Sequence, residues 1–157
     1  MATTSVNSAS RVGLSTIASL APWFSRLVLL LPTVIMIAIA VRFIGNPTHA
    51  ASQTGVTLST PEALTDTRVV GALALTVAFA IAISITSRQR LRMGHVIVIV
   101  LMAFILAVRF YGFAADGTTL AMGDQRLKVI GETLFVTLNA IGLFLQTYFG
   151  KHSAVTQ

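Results

Sequence analysis

Apolar residues in this chain gather into four long runs, and polar residues collect between them. The runs cover residues 24 to 44 (FSRLVLLLPTVIMIAIAVRFI), 68 to 86 (RVVGALALTVAFAIAISIT), 95 to 113 (HVIVIVLMAFILAVRFYGF) and 129 to 149 (VIGETLFVTLNAIGLFLQTYF). A helix needs about 20 apolar residues to cross a hydrocarbon core roughly 30 Å thick, and each run approaches that length. Four of them leave too little polar sequence to bury them in a soluble core. The pattern predicts an all-α fold: an integral membrane, antiparallel four-helix bundle occupying residues 23–150 as one transmembrane domain. A tail at 1–22, rich in Ser, Thr and Ala, is expected to be mobile or interfacial, and a short tail follows at 151–157.

The connections have the composition of loops. Residues 45–67 contain Gly45, Pro47, Gly55 and Pro61 among many Ser and Thr, and residues 114–128 contain the turn-forming pairs Asp116-Gly117 and Gly123-Asp124. Thr60-Pro61-Glu62 signals a short interfacial helix through Asp66. The middle connection, residues 87–94, is short enough to make the second and third helices antiparallel neighbours. No internal repeat supports an inverted-repeat transporter.

Composition agrees with this reading. The chain is 55% hydrophobic and 10% charged, with a mean hydropathy of +0.84, well short of the charged quarter that covers a globular surface. The same figures exclude a disordered chain. With no cysteine, disulfide scaffolds, thiolate metal sites and thiol redox chemistry are excluded as well.

Charge supplies direction. Arg11, Arg26, Arg88, Arg90, Arg92 and Lys151 fall on one side of the expected spans with no acid among them, while Glu62, Asp66, Asp116, Asp124 and Glu132 fall on the other. Positively charged short loops stay cytoplasmic, so both termini and the Arg88–Arg92 loop are expected inside and the two longer loops outside. The pI of about 11.2 then reflects contact with an anionic inner leaflet, and no nucleic-acid partner is expected. Ala38-Ile39-Ala40 has the small-x-small form of a signal-peptide cleavage site. The preceding stretch is long for a signal core, and the charge asymmetry is consistent only with a first helix that is retained.

Charged residues within or beside a span are the first candidates for function. With alternating helix directions, Arg42, Arg68, Arg109 and Glu132 come to one outer level from four helices, with Asp66 and Asp116 just above. Arg109 and Glu132 are flanked by apolar residues on both sides and are expected to pair, whereas Arg42 can snorkel alone to the headgroups. Glu132, Asn139 and Gln146 recur every seven residues, beside Thr133 and Thr137, and form a secondary polar stripe expected to face inward. Gly71, Ala74, Ala78 and Ala82 favour close helix packing in the second span, and Pro32 is expected to kink the first. His49, His95 and His152 form no intramembrane pair for haem, and no metal, phosphate-loop or catalytic-triad motif is present. Neither a metal nor a cofactor is therefore expected. The first helix also lacks the carboxylate on which small four-helix multidrug exporters rely.

Asp66-Thr67-Arg68-Val69-Val70-Gly71, Arg109 followed by Asp116-Gly117, and Glu132 opening the last span carry a resemblance. Over residues 60–149 the chain resembles the uncharacterised family of small bacterial four-helix membrane proteins catalogued as domain of unknown function 4345. Ala72 departs from the pattern, standing where that family commonly has a second glycine. The resemblance implies a bacterial inner (plasma) membrane location and singles out Arg68, Arg109 and Glu132, without implying an activity. The layout is also similar to DoxX-like four-helix membrane proteins, some associated with redox systems, which is a likeness of fold alone. The leading expectation is a non-enzymatic protein of the lipid bilayer that holds a lipid or other anionic, amphiphilic ligand at Arg68, Arg109 and Glu132. The alternatives are a membrane-embedded redox or quinone-linked enzyme or accessory subunit, with Glu132 as proton carrier, and a structural subunit of a larger complex.

Overall fold

Local chemistry sets where the helices begin and end. The computed structural model describes the backbone of residues 6–117, 119–121 and 124–152, and the side chains of residues 19–117, 119–121 and 124–148. Its elements are α1 (Val6–Gly45), α2 (Pro47–Ser52), α3 (Pro61–Ile85), α4 (Leu91–Ala115) and α5 (Gln125–His152), with no strand among the described residues. Four of these helices contain stretches long and apolar enough to cross a membrane: Ser19–Gly45, Pro61–Ile85, Leu91–Ala115 and Gln125–Tyr148.

Each helix extends beyond the apolar run that predicts it. Thr60 caps α3, its hydroxyl accepting the Ala63 N–H at 3.2 Å, and Pro61 occupies the first turn, where its missing N–H is not needed. The Thr60-Pro61-Glu62 signal therefore opens α3 itself, seven residues before the expected start, and makes no separate interfacial helix. Asn46 and Pro47 start α2 in the same way within the expected loop, and that turn of helix ends before Gly55, whose φ of +81° suits glycine. α1 begins at Val6 and passes through both Pro22 and Pro32. Much of the expected N-terminal tail is thus helical backbone; its first five residues, and residues 153–157 of the C-terminal tail, lie outside the described residues.

The closest packing joins α1 to α3 and α4 to α5; α1 also contacts α5 and α4, α3 contacts α4, and α2 packs on α1 and α3. Gly71 lets α3 approach α1 closely, since a methyl group there would stand 2.8 Å from the Ile44 side chain and 3.1 Å from the Ala40 carbonyl oxygen. The apolar core is small: Leu29, Ile81, Leu91, Val98 and Met102, with Met36, Val77, Phe135 and Val136 packed on it. Among the described residues six polar side chains are buried beside it: Ser25, Thr33, Ser84, His95, Asn139 and Gln146. Large apolar side chains such as Leu27, Leu73, Phe79, Phe104, Val108 and Phe144 lie on the outside instead.

Candidate functional site

Two polar clusters join α5 to its neighbours. The first lies where α4 ends and α5 begins. Arg109, under two turns from the end of α4, donates from Nε to Glu132 Oε2 at 2.9 Å and from a terminal nitrogen to Glu132 Oε1, while its other terminal nitrogen donates to Gln125 Oε1 at 2.6 Å. The Arg109 and Glu132 side chains are only 20% and 14% exposed. This is a fork-to-fork pair, the strongest geometry available to a guanidinium and a carboxylate. All three guanidinium nitrogens are engaged and the pair is close to neutral, so it serves as a clamp and offers little to an incoming anion.

Arg68 does not join it. It is exposed in the second turn of α3 and makes no hydrogen bond or ion pair among the described residues. The same holds for Arg42 at the end of α1, and Asp66 and Asp116 are likewise exposed. The expected four-helix meeting of charges therefore separates into a closed Arg109–Glu132 pair and free guanidiniums at Arg42 and Arg68. Among the described residues the other ion pair is Lys128 to Asp124 at 2.9 Å, and this hydrogen bond holds the exposed Asp124 carboxyl below its usual range.

The second cluster is buried. His95 is fully covered, and its Nδ1 lies 2.8 Å from Asn139 Oδ1. Asn139 donates its amide N–H to the Phe135 carbonyl at 2.8 Å, which turns Oδ1 toward the imidazole. Nδ1 must then carry a proton, and in the neutral ring Nε2 carries the lone pair. That Nε2 is buried without a hydrogen-bond partner. The ring fits because residue 142 has no side chain: a methyl group there would stand 2.6 Å from Nε2.

No family model, curated protein or solved structure matches the chain. The functional reading therefore rests on geometry.

Two turns along α5 from Asn139, Gln146 ties three helices together. Its side-chain amide donates to Ser25 Oγ at 2.9 Å and to the Ala21 carbonyl at 3.2 Å, while the Gln146 backbone carbonyl accepts from Arg92 at 2.8 and 3.3 Å. Arg92 thus ties the start of α4 to the backbone of α5. Asn139 and Gln146 are buried, whereas Thr133 and Thr137, beside them in sequence, are exposed; the Thr137 hydroxyl returns to the Thr133 carbonyl at 2.9 Å.

Sequence reasoning did not single out His95, which sits at the start of its apolar run and matches no two-histidine motif. Its available signal was indirect. Gly142 stands three residues beyond Asn139 on the same face of α5, and a glycine beside an inward amide leaves room for a ring from a neighbouring helix.

Proposed function

We propose that this chain is a polytopic membrane protein, an antiparallel bundle of four transmembrane helices with both termini cytoplasmic, as in a bacterial inner membrane. The observation that carries this reading is the distribution of side chains. The interior holds Ser25, Ser84, His95, Asn139 and Gln146, while leucine, phenylalanine, valine and isoleucine cover the outer faces of helices long enough to span. Water would penalise so large an apolar exterior, and hydrocarbon would not. Trp23, at one end of the first apolar stretch with Arg26 at 5.2 Å over its ring, suits a membrane interface.

The role that fits best is non-enzymatic: the outward end holds an amphiphilic anion such as a lipid, and Arg68 supplies the charge. Arg109 is committed to Glu132 and Gln125, so it positions α4 on α5 rather than serving the ligand. The same pairing speaks against the quinone-linked alternative, because both Glu132 oxygens that would carry a proton are held by Arg109.

The absence of native cysteine makes the topology testable. Ser52→Cys is expected to react with an impermeant maleimide on intact cells, and Ser87→Cys only after lysis. Labelling of Ser87→Cys alone would reverse the orientation. Release of the chain by alkaline carbonate would overturn membrane insertion itself.

A further inference from the structure

The face of α3 that bears Arg68 continues into a groove. At 3.6 residues per turn, Ala72, Leu75, Phe79 and Ala82 all fall within about 40° of the line through Arg68 along the helix. Together with Ala78 and with Ile37 of α1, these four line an open groove of about 570 Å³. The hollow arises because alanines stand between bulky neighbours, Leu75 and Phe79 being 46% and 66% exposed. Thr76 also lines it, but its hydroxyl is turned back to the Ala72 carbonyl at 3.0 Å. The groove is apolar along its length, and Arg68, with no partner among the described residues, lies one helical turn beyond Ala72 on the same face.

We propose that this groove binds one anionic glycerophospholipid, with its phosphate on Arg68 and an acyl chain lying from Ala72 to Ala82. Ten residues of helix rise about 15 Å, a length that one lipid acyl chain can cover. The charge is complementary as well. Arg68 stands one helical turn beyond the groove, at the level of a headgroup. The acids of α3 do not compete for it: Glu62 and Asp66 lie about 120° and 160° around the helix from Arg68. Arg42, the other unpartnered arginine, is five residues from Ile37 on α1 and about 140° around that helix, away from the groove.

This inference rests on the membrane reading above and names its ligand. Carbonate extraction separates the two failures: a chain released by carbonate ends that reading, while a chain that is retained but shows no lipid preference ends only this one. The decisive experiment is native mass spectrometry of the delipidated full-length protein, titrated with phosphatidylglycerol or phosphatidylcholine carrying identical chains. The first phosphatidylglycerol is expected to bind about fivefold more tightly, the contribution of one arginine at a membrane surface. Arg68→Gln should abolish that preference, Arg68→Lys should keep most of it, and Arg42→Gln should leave it intact. Ala72→Leu, at an exposed position, fills the groove without touching the core and should weaken both lipids. Equal binding of the two lipids by the wild type, a preference that survives Arg68→Gln, or full binding by Ala72→Leu would overturn the proposal. So would protein dimers that take the place of the lipid adducts and dissociate in Ala72→Leu.

Discussion

Single residues in this protein are legible when their chemistry leaves one option and obscure when it depends on a neighbour. Glu132 inside an apolar stretch demands a partner of opposite charge, and the structure supplies Arg109 from α4 at hydrogen-bonding distance. Glu132→Gln is expected to destabilise the protein by about 2 kcal/mol, less than the 3–5 typical of breaking a fully buried pair because this one is partly exposed. Arg42→Gln, at an exposed and unpartnered position, should stay within about 0.5 kcal/mol of wild type. Equal thermal stability of the two variants in detergent would show that the pair is not a clamp. His95 is the opposite case, since nothing in its own sequence neighbourhood reveals that Asn139 and Gly142 enclose it. Gly142→Ala should destabilise by about 1–3 kcal/mol through overpacking against the ring. In a His95→Ala background the same change should be nearly silent. Additive effects of the two substitutions on thermal unfolding would dissociate the glycine from the histidine.

Elements are read from periodicity and composition, and their ends from capping. The four apolar runs locate α1, α3, α4 and α5, yet hydropathy by itself misses polar helical turns such as Pro61–Thr67, which Thr60 and Pro61 initiate. The small residues of α3 illustrate the gap between a pattern and its use. Gly71 is buried against α1, whereas Ala72 and Ala82 face the groove, which the buried Ala78 also lines. A run of small residues permits close approach without stating which side it comes from. Gly71→Val is expected to push α1 from α3, because the contact includes the Ala40 carbonyl, which cannot rotate away as a side chain can. The loss should be about 1–3 kcal/mol. Ala72→Val, one residue on and exposed, should unfold at close to the wild-type temperature, and an equal loss in both would contradict the assigned faces.

At the scale of the whole molecule, the chain has too few charges to cover a water-facing surface and too many long apolar stretches for the interior it builds. Its interior is correspondingly polar in places and tied by side-chain hydrogen bonds: Gln146 to α1, Arg92 to α5, and His95 to Asn139. Amino-acid sequence by itself determined the four long helices, the all-helical class and the asymmetry of charge along the chain. Those follow from run length, composition and the fixed rise of a helix, which act over neighbouring residues. Only the tertiary structure decided which charges meet. Arg68 and Arg109 look alike in sequence, each a lone arginine at the edge of an apolar run. Helix packing engages one with Glu132 and leaves the other free above a groove. That choice depends on the rotation of each helix about its own axis, which is set by contacts such as Gly71 with Ala40 and Gly142 with His95 between residues distant in the chain.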